Sequence, residues 1–314
     1  MGFCADLKTR LAVYPRGLDE SGMLTDNNSL HWVSKYGFIV TEETSIHNAA
    51  ADGMNERGLG AHLLYMDGTA LPARSVAVPG VSSMIFVRYL LENYATVNEV
   101  VTQITNYQIV QYPVKIQGVD FYFPFHVTVE DASGDAAIIE FVKGKLSVYH
   151  GSQYNVMTNE PPYDLQLRHL AQVKQQHRYL NTILPGGADS KNRFVRAAYY
   201  SETIPTPANP QDAVDYMFAA IQGTIVPYYK NYQECGFDGH RAHDNNIDDV
   251  WPSIYQTVLD HSHQIYYYSD SLVGNRISVD LNQIDLSIGQ STKFLNPRDA
   301  ALVGNVTAKF SDSK

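Results

Sequence analysis

The hexapeptide Val156–Pro161 (VMTNEP) holds a residue type suited to one difficult step of amide chemistry. A carboxamide N–H, such as that of Asn159, can stabilise the negative charge that develops on a carbonyl oxygen under nucleophilic attack. Asn159 follows an extended-looking run, Tyr154–Thr158, and precedes a proline, so the sequence places it at a strand end. Asn and Pro also form turns, which is the plainer reading. The thiols are Cys4 and Cys235, and a thiol is a strong nucleophile once deprotonated. Cys235, His240, His243 and Asp244 stand together in CGFDGHRAHD, with His261 and His263 further on. These are zinc-ligand types, but Cys-x4-His-x2-His is not a common zinc spacing, so the expectation is a solvated loop without metal. Arg193 and Arg196 lie three apart in NRFVRAAYY, on one helical face. They are candidate anion binders, or else ion-pair partners that anchor the helix over a sheet.

The elements that must position these groups follow from periodicity. Leu11–Tyr14 reads as a strand ended by Pro15-Arg16-Gly17, and His31–Val33, Phe38–Thr41 and Ala61–Tyr65 follow. Asp52–Leu59 (DGMNERGL) reads as a turn rich in Gly and Asn. In Val81–Tyr94 the residues Met84, Val87, Leu91 and Tyr94 recur at spacings of three and four, a helix with one buried stripe. Thr96 and Glu99 form a capping box that opens a second helix running to about Thr105. Both helices are expected on one face of the first sheet. Phe125–Glu130, Ala136–Val142, Leu146–His150 and Tyr154–Thr158 read as a meander. Helices are expected from Tyr163 to about Leu180, over Arg193–Ser201 and over Ala213–Ile221; strands return at Gln264–Ser269 and Arg276–Leu281. Strands, helices, strands, helices, strands is an α+β order, which two packed sheets with helices outside would satisfy in one domain spanning 1–314.

Composition narrows the partners. The chain has 314 residues, 44% hydrophobic and 18% charged, which is enough apolar material for a substantial core. A net charge of −10 with no basic run disfavours nucleic acid and anionic membranes. No apolar run approaches bilayer-spanning length, and MGFCADLKTR lacks the apolar region of a signal peptide. Two cysteines do not make a disulfide framework. A small-molecule partner is the remaining expectation. The 22 tyrosines suit an aromatic-lined pocket.

Seven segments then point to a family: LAVYPRG (Leu11–Gly17), SKYGFIV (Ser34–Val40), DGMNERGL (Asp52–Leu59), LLENYATVNEV (Leu90–Val100), SGDAAIIEF (Ser133–Phe141), VMTNEP (Val156–Pro161) and NRFVRAAYY (Asn192–Tyr200). In order and spacing they resemble the choloylglycine hydrolases, which include bile salt hydrolases and penicillin V acylases, and they look most like the Gram-negative branch. The resemblance implies a four-layer αββα fold of the N-terminal-nucleophile type, possessing no cofactor, acting on linear amide C–N bonds and commonly tetrameric. It implies a cysteine at the mature N-terminus whose α-amine takes the thiol proton. It matches Asn159 to the oxyanion asparagine, and Tyr65 and Met66 to substrate-binding positions, with a tyrosine at the first suggesting an aromatic or acyl-chain substrate. A periplasmic location is implied if a signal peptide lies upstream of Met1; on this sequence as given the reading is cytoplasmic.

The chain departs from the family pattern at three places. The family's nucleophilic cysteine and its strand fall upstream of Met1. Gly2 stands where the family has an Asp, and Gln256 where it has an Arg, keeping hydrogen-bonding capacity without charge. Cys4 is the candidate nucleophile within the chain, exposed if Met1-Gly2-Phe3 is removed, although it lies only seven residues from LAVYPRG. Two functions are therefore open: a linear-amide hydrolase working by thiol attack, or a non-catalytic relative that binds an acyl or amide ligand. Penicillin V, an N-acyl homoserine lactone and a conjugated bile acid remain open as substrates.

Overall fold

The computed structural model describes residues 8–116, 119–176, 184–228 and 251–312. Gly2, Cys4, Cys235, His240, His243 and Asp244 lie outside them.

In chain order the strands β1 (Thr9–Tyr14), β2 (Asp19–Ser21), β3 (His31–Val33), β4 (Phe38–Glu43), β5 (Ala49–Asn55), β6 (Gly60–Tyr65) and β7 (Gly80–Ser82) precede helices α1 (Phe86–Asn93) and α2 (Val97–Gln103). Then come β8 (Gln108–Val110), β9 (Val114–Ile116), β10 (Val119–Phe121), β11 (Phe125–Glu130), β12 (Ala136–Val142) and β13 (Lys145–His150). Helices α3 (Tyr163–Gln175), α4 (Ser190–Thr203) and α5 (Pro210–Gln222) lead to β14 (Tyr255–Asp260), β15 (Ile265–Asp270), β16 (Arg276–Asp280), β17 (Lys293–Leu295) and β18 (Gly304–Asn305).

Eight strands form one sheet in the order β13-β12-β11-β6-β5-β4-β1-β17, and four form another, β14-β15-β16-β18. Alternation along the large sheet sorts its side chains onto two faces. Ala12, Phe38, Ala61, Val127 and Ile139 join Phe86, Leu90 and Val97 in a core beneath α1 and α2. Leu11, Val13, Ile39 and Met54 face the other way and meet Tyr266, Tyr268, Ile277 and Val279 of the small sheet. The small sheet is covered on its far side where Val214 and Phe218 of α5 pack on Val258. The layers are thus helix, sheet, sheet, helix, the αββα order. Beyond the reach of the small sheet, Tyr163 of α3 and Phe194 of α4 close over Ile138 of β12. A gap is left between these two covers, above β5, β6 and β11.

Several expected boundaries shift. Val81 belongs to β7, which pairs with β8, and a 3-10 turn at Ser83–Ile85 precedes α1. Helix α1 is buried almost all round, including Phe86, Tyr89 and Leu90, because it is pressed between sheet and neighbouring chain. Asp52 to Asn55 continue β5 rather than forming a turn; the turn comes at Asn55–Leu59, where the Asn55 side chain accepts the N–H groups of Arg57 and Leu59. The Thr96 cap holds Glu99 N–H, while the Glu99 carboxylate reaches the N–H of Ala95. Tyr154–Thr158 is not a strand. Its polar groups near the end are taken by side chains instead of a neighbouring strand, as described below. The part of the predicted Tyr163–Leu180 helix beyond Gln176 falls outside the described residues.

Candidate active site

The gap above β5, β6 and β11 is a cavity of about 600 Å³. Its walls come from every layer around it: His62 and Leu64 of β6, Arg193 of α4, Ile221 of α5, Gln256 of β14 and the Asn159 bend. Tyr65 also lines it, with its ring edge-on to Trp251 at 4.8 Å between centroids.

Asn159 sits at the end of an extended segment whose Val156 and Met157 pack on the Tyr163–Phe194 cluster. A loop of hydrogen bonds fixes its backbone. Asn159 N–H donates to Ser190 Oγ at 2.9 Å. Ser190 Oγ meets Thr158 Oγ1 at 2.9 Å, and Thr158 Oγ1 donates to Gln166 Oε1 at 2.8 Å. Gln166 Nε2 returns to the carbonyl of Asn159 at 2.6 Å and to that of Pro161 at 2.8 Å. Behind this loop, fully buried His126 donates from Nε2 to the Thr158 carbonyl at 2.7 Å, and its Nδ1 meets Glu140 Oε1 at 2.9 Å. Glu140 also accepts the first N–H of α3, from Tyr163. The segment between β13 and α3 is therefore tied to β11, β12, α3 and α4 together.

The Asn159 side chain is held at both ends. Its Nδ2 donates to the Tyr65 carbonyl at 2.6 Å, and its Oδ1 accepts from Arg193 Nη2 at 2.7 Å. A carboxamide has two N–H groups. One goes to Tyr65; the other has no partner among the described residues and belongs to a side chain that lines the cavity. That geometry can donate to a ligand oxygen.

Asp52, His62 and Glu130 line the floor. Strand register brings them to one face, with Asp52 opposite His62 and His62 opposite Thr128, two residues before Glu130. The imidazole is clamped: Nδ1 meets Asp52 and Nε2 meets Glu130. Asp52 also accepts Tyr266 Oη at 2.5 Å and Thr257 Oγ1 at 2.9 Å, so one carboxylate joins the two sheets. Burial alone would discharge all three groups. The two carboxylates instead hold His62 well above the usual imidazole range, and the imidazolium holds Asp52 and Glu130 below the usual carboxylate range. His261 stands 4.0 Å from Glu130 and uses Nδ1 on the Gly58 carbonyl.

Of the site residues expected from sequence, the structure brings Asn159, Tyr65 and Gln256 to one cavity. Gln256 Oε1 is buried and meets no donor among the described residues. Met66 does not join them: it is fully buried, and its N–H is spent on the Pro124 carbonyl. Arg193 is neither an anion site nor an ion-pair anchor, since it serves Asn159 and the Ala188 carbonyl. Arg196 donates to the carbonyls of Gly223, Pro185 and Gly187. His263 pairs with Asp260, and no group of three metal-ligating side chains is assembled among the described residues. His62, Asp52 and Glu130 were not singled out in the sequence; only cross-strand register unites them.

Comparisons with known proteins agree with this architecture. The profile of the linear amide C–N hydrolases, choloylglycine hydrolase family, matches residues 1–295. A penicillin V acylase from Pectobacterium atrosepticum is 30% identical over 304 residues, spanning 91% of this chain and 77% of that protein. A bile salt hydrolase/transferase from Clostridium perfringens is 26% identical over 52% of this chain and 55% of its own length. Among solved structures, penicillin V acylase from Agrobacterium tumefaciens superposes with a TM-score of 0.84 at 31% identity, covering 100% of this chain and 92% of that one. A conjugated bile acid hydrolase from Clostridium perfringens shares the fold at a TM-score of 0.72 and 20% identity, over 94% of this chain and 91% of its own. The chain belongs to the linear amide C–N hydrolases of the choloylglycine hydrolase family.

Proposed function

We propose that the cavity takes a linear amide with an aromatic or extended acyl group, and that Asn159 binds its carbonyl oxygen. The observation that carries this reading is the spare N–H of Asn159, on a side chain whose other polar groups are fixed by Tyr65 and Arg193. Such a donor needs no reorientation when charge develops on the oxygen. The acyl group lies against Tyr65, Trp251, Leu64 and Ile221, an aromatic and aliphatic wall suited to a phenoxyacetyl group such as that of penicillin V.

In the hydrolytic reading a thiolate, that of Cys4 or of a cysteine preceding Met1, adds to the carbonyl carbon. The C–N bond breaks, the amine leaves with a proton, and water converts the thioester to a carboxylic acid and regenerates the thiol. Gln256 supports the second reading, a protein that binds the amide without turnover. It places a neutral group with an unmet acceptor at the cavity wall.

The test is hydrolysis of penicillin V, an N-acyl homoserine lactone and glycodeoxycholate, with phenoxyacetate binding followed by tryptophan fluorescence. Turnover of penicillin V above the other two supports the hydrolase. Phenoxyacetate binding without turnover supports the binder. Neither binding nor turnover contradicts the assignment of the cavity.

A further inference from the structure

We infer that Arg193 is a positioning residue that sets the orientation and donor strength of the Asn159 carboxamide. The inference rests on the reading of Asn159 as a ligand-facing donor.

A carboxamide can rotate by half a turn and exchange its oxygen for its nitrogen at little steric cost. In one orientation Asn159 offers donors to the cavity; in the other it offers an acceptor, which would repel a carbonyl oxygen. Two contacts choose between them. The Tyr65 carbonyl accepts only from Nδ2, and the Arg193 guanidinium donates only to Oδ1. Arg193 makes the charge-assisted contact of the two, so it carries more of the selection. Its placement is itself fixed: Nε donates to Ala188 O at 2.9 Å, in the turn that leads to the Asp189 cap of α4. The same contact withdraws electron density from the carboxamide, which strengthens its remaining N–H as a donor.

The surroundings fit a role beyond anchoring. Arg193 has no carboxylate salt bridge among the described residues, and its burial lowers its pKa from the ordinary guanidinium range. A guanidinium kept only to hold α4 down would gain more from a carboxylate than from a neutral amide oxygen. Arg196, one helical turn on, shows the anchoring pattern instead, with three contacts to main-chain carbonyls.

The experiment is a double-mutant cycle on the whole chain, with Arg193→Met, Arg193→Lys and Asn159→Ala, reading phenoxyacetate affinity by tryptophan fluorescence. Arg193→Met is expected to raise the Kd at least tenfold, and Arg193→Lys to recover part of the loss. In the Asn159→Ala background, Arg193→Met is expected to change the Kd less than twofold. Equal effects in both backgrounds would mean that Arg193 attracts the carboxylate directly, and would overturn the inference. A second readout needs no ligand: solvent exchange of the Asn159 side-chain N–H pair by NMR, identified by its absence in Asn159→Ala. Exchange at least tenfold faster in Arg193→Met supports the inference, and unchanged exchange overturns it. If phenoxyacetate does not bind the parent protein, the ligand-facing reading of Asn159 falls, and the exchange rates alone decide whether Arg193 orients the amide.

Discussion

Asn159 donates from its side chain to the main-chain oxygen of Tyr65 at 2.6 Å, although 94 residues separate the two in sequence. That bond joins the segment after β13 to the end of β6 at the cavity mouth. It leaves one carboxamide N–H for a ligand, and the predictions that follow concern what holds this arrangement and what it binds.

The scaffold behind Asn159 depends on His126, whose two nitrogens connect Glu140 to the Thr158 carbonyl. His126→Leu would strand both partners in the interior. We expect a loss of about 2–3 kcal/mol in urea unfolding, since each buried unsatisfied group costs about 1–3 kcal/mol. Phenoxyacetate affinity should fall with it. A variant of parental stability and affinity would show that the Asn159 bend does not need this anchor.

His62 between Asp52 and Glu130 carries a pH signature. Its raised pKa means that its contribution to stability is complete below the unfolded value near 6.5 and is lost as pH rises through the higher folded value. Asp52 and Glu130 are lowered, so theirs is present above the unfolded values and is lost as pH falls through the folded ones. The clamp is thus strongest between about pH 5 and pH 7. His62→Ala leaves two facing carboxylates and should cost about 3–5 kcal/mol there, measured by denaturant unfolding. A loss below 1 kcal/mol would contradict the charged clamp.

Glu43 behaves in the opposite sense. Its carboxyl is buried, accepts Thr9 Oγ1 at 3.0 Å, and is pushed up to about 7 by desolvation. Its contribution is present below the unfolded value and is lost as pH rises through about 7. Glu43→Gln should therefore raise Tm by several degrees at pH 8 and change it little at pH 4.5. Equal shifts at the two pH values would rule out a titrating Glu43.

The Trp251 ring packs edge-on against Tyr65 on the cavity wall. If the wall receives an aromatic acyl group, Trp251→Ala should weaken phenoxyacetate binding about tenfold, since such contacts supply about 1 kcal/mol beyond their buried area. Acetate binding should not change. A variant that loses both ligands equally would point to collapse of the cavity rather than to lost acyl contacts.

Much of the fold was legible because its strands alternate. β1, β4, β6, β11, β12 and β13 each carry the period that one buried face imposes. The errors have local causes. Asp52 looked like a turn residue because a carboxylate in a buried strand is rare; here Tyr266, Thr257 and His62 satisfy it from other strands. Tyr154–Thr158 looked like a strand because its composition is strand-like, yet its end is satisfied by His126, Ser190 and Gln166. Asn159 was legible from its motif. Arg193 and the Asp52–His62–Glu130 floor were not, because spacing along one chain does not reveal which distant strand or helix lies opposite.

The account's central claim is that the Asn159 amide meets the oxygen of an amide substrate as charge develops on it. The most direct measurement is kcat for penicillin V hydrolysis by the parent protein and by Asn159→Ala, with the fold of each checked by circular dichroism. The account predicts a fall of about 10²–10³ in kcat, the range for loss of one such donor. Equal rates in the two proteins would contradict it.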